Sequence, residues 1–189
     1  MKIFNIVLSA DTDGVEEISF VENPAIEVDF IALSKSPAQE EKSLIMLSED
    51  KQIVTTPVLI PDKLIFRSDA NRGDHYIQFS KETIEQISQK YFKDGKMFKF
   101  NLEHSQPVKG VYLCESYLVN SERNIEPPKE FSDLPDGTWI ASFKVENTNL
   151  WKAIKLGQFK GVSIEGYFDY ENEELSELKA IYKELSKLN

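Results

Sequence analysis

Turn residues cut this chain before any apolar run grows long. Asp13-Gly14, Asn23-Pro24, Pro57, Pro61, Asp94-Gly95 and the three prolines between 123 and 137 each interrupt stretches of Ile, Val, Phe and Leu. Strands are expected over 2–8, 18–22, 27–33, 44–47, 53–60, 64–67, 75–79, 97–104, 108–119, 138–145 and 160–170. In 97–104, Phe98, Phe100 and Leu102 should share one side. Pro57 and Pro61 lack a donor, so their segments should be edge or bent strands. Residues 34–42, polar and holding Pro37, read as an exposed loop.

Helical signals are few. Ser80 is a good N-cap, Glu82 suits the first turn, and Ile84, Ile87 and Tyr91 repeat on one face. Asn147 caps a short helix over 148–156, which Gly157 ends. The tail from Glu171 has helical spacing, with Leu175, Leu178, Ile181 or Tyr182, Leu185 and Leu188 inward. Strands do not alternate regularly with helices, which argues against a doubly wound sheet. The expected class is α+β and mostly β: a mostly antiparallel sheet or barrel with about three helices. Residues 1–170 form the β-rich domain, and 171–189 a C-terminal amphipathic helix that packs on it or mediates assembly.

Composition narrows the function. With 22 Lys and Arg against 32 Asp and Glu, the net charge is −10. No clustered basic surface for nucleic acid is expected. A single cysteine excludes an internal disulfide framework and cysteine-rich zinc sites, and two distant histidines argue against a histidine metal site. No apolar run approaches the ~20 residues of a membrane span, and no nucleotide or cofactor motif is present. No cofactor and no metal are expected.

The chemistry therefore rests on few residues. His75 reads as a half-exposed strand-end residue. His104 ends a strand before Ser105-Gln106-Pro107, where a histidine can move protons, although a structural histidine fits the same place. In Gly161-Val162-Ser163-Ile164-Glu165-Gly166, Val162 and Ile164 take one face, Ser163 and Glu165 the other. Glycines beside a serine let another backbone or a substrate approach closely. Ser163 could equally be a serine on a solvated strand face. Catalysis would need Ser163 hydrogen-bonded to His104 as general base, with a third group fixing the imidazole. Glu165 lies on Ser163's face, about 7 Å along the strand. Glu115 and Asp169 are further carboxylates, and Glu103 should point away from His104. Cys114 has no basic neighbour in sequence and reads as buried and inert. Trp139 and Trp151 read as core.

A strand ending in Phe100-Asn101-Leu102-Glu103-His104 precedes Leu150-Trp151-Lys152-Ala153-Ile154-Lys155 and Gly157-Gln158-Phe159-Lys160-Gly161-Val162-Ser163-Ile164-Glu165-Gly166. This order resembles the prohead proteases of tailed phages, specifically the XkdF-like phage serine proteases. The stretch Ile18-Ser19-Phe20-Val21-Glu22-Asn23-Pro24-Ala25 resembles the start of that group. The likeness covers nearly the whole chain. It implies an assemblin-like β-barrel wrapped by helices, with Ser163 and His104 as the catalytic pair. No histidine follows Ser163, so the third member implied is acidic or absent, and Glu165 is the candidate. The last arginine is Arg123, so the arginines assemblins use near the oxyanion site are not matched.

The resemblance further implies cleavage of scaffold and major capsid protein precursors, and of the protease itself, inside the assembling prohead in the host cytoplasm. Self-association is implied by assemblin relatives. A non-catalytic scaffold or minor capsid protein retaining the fold is the alternative, and an unrelated β-rich binding module is a third reading.

Overall fold

The computed structural model describes residues 1–26, 31–33 and 51–172, together with residue 185. Twelve strands and two α-helices are present among them: β1 (Lys2–Val7), β2 (Gly14–Val21), β3 (Ile31–Leu33), β4 (Ile53–Leu59), β5 (Ile65–Asp69), β6 (Gly73–Phe79), α1 (Lys81–Lys93), β7 (Phe100–Leu102), β8 (Gln106–Pro107), β9 (Val111–Leu118), β10 (Trp139–Val145), α2 (Thr148–Lys155), β11 (Gly161–Tyr167) and β12 (Asp169–Asn172). The mostly-β expectation holds. The barrel does not: the described strands form three four-stranded sheets, ordered β12-β1-β6-β5, β3-β4-β10-β9 and β11-β2-β7-β8. Nor is the pairing wholly antiparallel, because β1 runs parallel to β6 and β2 parallel to β7.

The reason is local. The chain leaves β1 through a turn closed by Asp13, whose carboxylate accepts the Ser9 and Ala10 N–H groups at 2.7 and 2.8 Å, and enters a different sheet as β2. At the other end it breaks at Phe168, so β11 pairs with β2 while β12 pairs with β1. Two such crossings tie two sheets at their corners instead of rolling one sheet shut.

The third sheet packs through aromatics. Phe143 of β10 meets Phe20 of β2 and Phe100 of β7 with ring centroids 6.0 and 5.5 Å apart. Phe20, Phe143, Trp139 and Ile18 are fully buried, each contributing about 1.5–3 kcal/mol of transfer free energy. Trp151 is buried as well. Helix α1 buries Ile84, Ile87 and Tyr91. Ser80 caps it by accepting the Thr83 N–H, and Gly95 follows its end at φ +68°.

Several expectations need correcting. Pro57 lies in β4, an interior strand. The register of β4 with β10 shifts beside it, and among the described residues β3 pairs with Ile53–Thr55. The expected strand over 97–104 shrinks to β7, since Lys96–Phe98 forms a 3-10 turn that leaves Phe98 exposed against Tyr112. The helix expected from Glu171 loses its first two residues to β12. Leu185, expected inward, is exposed. The rest of 171–189, the loop 34–42 and the strand 44–47 lie outside the described residues. No helix among the described residues is long and apolar enough to cross a membrane.

Candidate active site

The site starts from one cross-strand row. In the registers of β11, β2 and β7, Ser163 lies opposite Ser19, and Ser19 opposite Asn101. Directly paired residues share a face, so these three polar side chains stand together. Their neighbours Val162, Ile18, Phe20 and Phe100 occupy the core side. The polar face is itself covered: Ser19 is fully buried, and Asn101 and Ser163 are nearly so.

Glu165 follows Ser163 in the same register, immediately before a bulge. Glu165 pairs with Glu17 but Gly166 with Val15, which leaves Glu16 unopposed. The close approach needs Gly166, because a Cβ there would overlap the Gly14 carbonyl oxygen. Glu165 Oε1 accepts three hydrogen bonds, each 2.7 Å long: from Ser19 Oγ, Asn101 Nδ2 and His104 Nδ1. The other Asn101 N–H reaches Glu17 Oε2 at 2.7 Å. Burial opposes ionisation of Glu165, but the hydrogen bonds from Ser19, Asn101 and His104 and the His104 charge outweigh it. The net pKa lies below the ordinary glutamate value.

His104 arrives on a tight hairpin. The β7–β8 pairing leaves only Glu103, His104 and Ser105 to turn the chain. Ser105 N–H donates to Leu102 O at 3.1 Å, and Glu103 and His104 have φ of +49° and +54°. Positive φ at both central positions marks a type I′ turn, which ordinarily takes Asn-Gly. Glu103 and His104 therefore sit in a region disfavoured by about 1–2 kcal/mol per residue. The Glu103 carboxylate anchors the turn by accepting the Glu22 N–H at 2.7 Å.

The contact with Glu165 sets the imidazole tautomer. An ionised carboxylate only accepts, so His104 Nδ1 carries the hydrogen. Ser19 Oγ, 3.0 Å away, shares the same N–H while giving its own proton to Glu165. Nε2 is left as the basic nitrogen, with no hydrogen bond among the described residues. This is the tautomer in which a histidine accepts a proton from a nucleophile.

Of the three residues singled out by sequence, His104 and Glu165 meet. Ser163 shares their sheet face, but no hydrogen bond joins it to His104. Its hydroxyl has no hydrogen-bond partner among the described residues. Ser163 and Glu165 instead line a cleft of about 670 Å³ between the edge strand β11 and the sheet of β1, β5, β6 and β12. Ser19 and Asn101 were missed. Each is a polar residue between two core hydrophobics in its strand, which marks a covered polar face.

A model of the family described as "Putative phage serine protease XkdF" matches residues 41–172, most of the chain and all of this constellation except Ser19. The chain belongs to this family. Its family is thus one of serine proteases, and the protease-type tautomer at His104 agrees with that description. No curated protein matches the chain, and no solved structure matches it.

The remaining candidates fall away on geometry. His75 is fully buried, not half-exposed: Nδ1 bonds Gly73 O at 2.8 Å, and the ring packs between Phe4 and Tyr170. Cys114 is exposed rather than buried. Partial desolvation and the charge of Glu115 still push its thiol pKa up, against nucleophilic use. Glu115 accepts from Ser142 Oγ at 2.8 Å, on the β9–β10 sheet. Asp169 lies in β12, paired with Val7.

Proposed function

We propose that the chain is a serine endopeptidase of phage capsid maturation, with Ser163 as nucleophile, His104 as general base and Glu165 as the residue that orients the imidazole. The observation carrying this reading is the Glu165–His104 contact, which leaves Nε2 basic on the sheet face that also bears the uncommitted Ser163 hydroxyl. Ser163 Oγ attacks the peptide carbonyl while its proton passes to His104 Nε2. The imidazolium then protonates the departing amine, leaving an acyl ester on Ser163. Water, deprotonated by the same nitrogen, releases the acid and regenerates the serine. Ser19 is the poorer nucleophile: it is fully buried, lies outside the cleft and touches the nitrogen that already holds a hydrogen. His104 is exposed at a hairpin tip beside the cleft rather than in its lining, and the proposed reaction requires that tip to bring Nε2 to Ser163. Catalytic hydrogen bonds are often long before substrate binds.

In this reading the substrates are scaffold and major capsid protein precursors, and the protease itself, inside the prohead in the bacterial cytoplasm. Enclosure supplies high effective concentration, so weak intrinsic affinity suffices. Self-association of the protease belongs to the same reading.

A scaffold or minor capsid protein that keeps the fold without catalysis has one observation on its side: Ser19, not Ser163, bonds His104. Intact-mass spectrometry after treatment with a small fluorophosphonate separates the two. The expected result is one adduct, mapped to Ser163 and absent from Ser163→Ala and His104→Ala. An adduct on Ser19 would reassign the nucleophile. No adduct on the concentrated wild type would favour the non-catalytic reading.

A further inference from the structure

The cleft beside Ser163 has walls of opposite character. Along β11 and β2 it carries the carboxylates of Glu16, Glu17 and Glu165, and its floor is apolar, built from Ile6, Val58, Ile77 and Phe79 among others. On the facing wall stands Arg67, from β5. It is the cationic side chain among the residues lining the cleft.

Arg67 is partly buried, and burial pulls its pKa below the ordinary arginine value, against an opposing effect of Tyr170. Among the described residues its guanidinium makes a single hydrogen bond, from Nη1 to the carbonyl of its own neighbour Phe66 at 2.8 Å. No carboxylate among the described residues lies within 4.0 Å of it. An arginine outside the cleft, in the turn between β5 and β6, is treated differently: Arg72 is paired with Asp69 at 3.0 Å and lies over the Tyr170 ring at 3.9 Å. A guanidinium offers five donors in a planar fork, and one partly removed from water without an anion is costly unless a ligand supplies the acceptor. The ligand that satisfies it and fits an apolar floor is a peptide with an acidic side chain beside an apolar one. Of the carboxylates on the opposite wall, Glu16 is paired with Lys96, while Glu17 and Glu165 lie away from Arg67 and disfavour a second acid on their side, which orients the peptide.

We infer that Arg67 is the specificity residue of this cleft, pairing with an Asp or Glu side chain at one fixed position of a bound peptide. This rests on the peptidase reading for the identity of the ligand as substrate, but not for its binding.

The test uses the full chain carrying Ser163→Ala, immobilised and exposed to random acetylated octapeptides, with the retained peptides sequenced by mass spectrometry. The expected result is about tenfold enrichment of Asp or Glu at one position relative to neighbouring apolar residues, the scale of a charge-assisted hydrogen bond. Arg67→Met in the same background removes the enrichment, and Arg67→Glu turns it into enrichment of Lys or Arg. That reversal cannot come from a misfolded chain. Retained peptides with no acidic preference, an acidic preference that survives Arg67→Met, or no retention at all would overturn the inference. Fluorophosphonate labelling of the wild type is read separately. A Ser163 adduct without acidic enrichment sinks the specificity assignment alone. Acidic enrichment without an adduct sinks the peptidase reading and leaves a peptide-binding cleft.

Discussion

At the scale of single residues, the centre of the site is one oxygen. Glu165 Oε1 gathers a hydroxyl, an amide and an imidazole, so two of the three residues that hold the carboxylate, Ser19 and Asn101, lie outside the proposed reacting pair. Glu165→Gln removes the charge that selects the Nδ1–H tautomer. Its expected effect is at least about a hundredfold slower labelling of Ser163, measured with the fluorophosphonate. The same variant has a pH signature. Because the folded pKa of Glu165 is depressed, its ionised form adds stability above the unfolded value of about 4.3, and that stability is lost as pH falls through the lower folded value. The melting-temperature gap between wild type and Glu165→Gln should therefore be steady at neutral pH and close in acid. His104→Gly tests the division differently. Glycine accepts the positive φ, while Ser19 and Asn101 still hold Glu165 in place. Added imidazole should restore part of the labelling lost in this variant, and should do nothing for Ser163→Ala. The alternation in 161–166 made Ser163 and Glu165 legible as partners on one face. Ser19 and Asn101 were not legible, because the row depends on registers between paired residues more than 80 positions apart in β2 and β7 and more than 140 apart in β2 and β11.

At the scale of elements, bulges and turns decide where those residues point. Gly166→Ala forces β2 and β11 apart at the bulge that aims Glu165. It should cost about 1–3 kcal/mol in urea denaturation and slow labelling as well. Gly95→Ala is the control. Nothing lies within 4 Å of a Cβ there, yet φ is +68°, so a loss of about 1–2 kcal/mol is expected with labelling unchanged. Helix α1 was readable from Ser80 and its apolar spacing because both act within one turn. The 3-10 turn at Lys96–Phe98 was not, because the alternation of Phe98 with Phe100 is what an uninterrupted strand would also show. Pro57 misled for the opposite reason. Its missing donor does not confine β4 to an edge, because the register with β10 shifts beside it.

At the scale of the whole molecule, the aromatic contact of Phe143 with Phe20 and Phe100 backs the polar row from the other side of β2 and β7. Phe143→Ala should lose about 3–5 kcal/mol, whereas Phe143→Leu, closer in volume, should cost about 1.5 kcal/mol or less. Unfolding curves and labelling should fall together in the first variant if the third sheet braces the site. The corner crossings that replace a barrel also place the chain's early and late strands side by side. β1 needs β12 and β2 needs β11. During synthesis, therefore, β2 with Ser19 leaves the ribosome long before the strand that carries Ser163 and Glu165. Under the proposed assignment, a nascent chain holds neither the nucleophile nor the carboxylate that anchors its base until β11 emerges, so the order of translation itself would keep a half-made copy from cutting its neighbours.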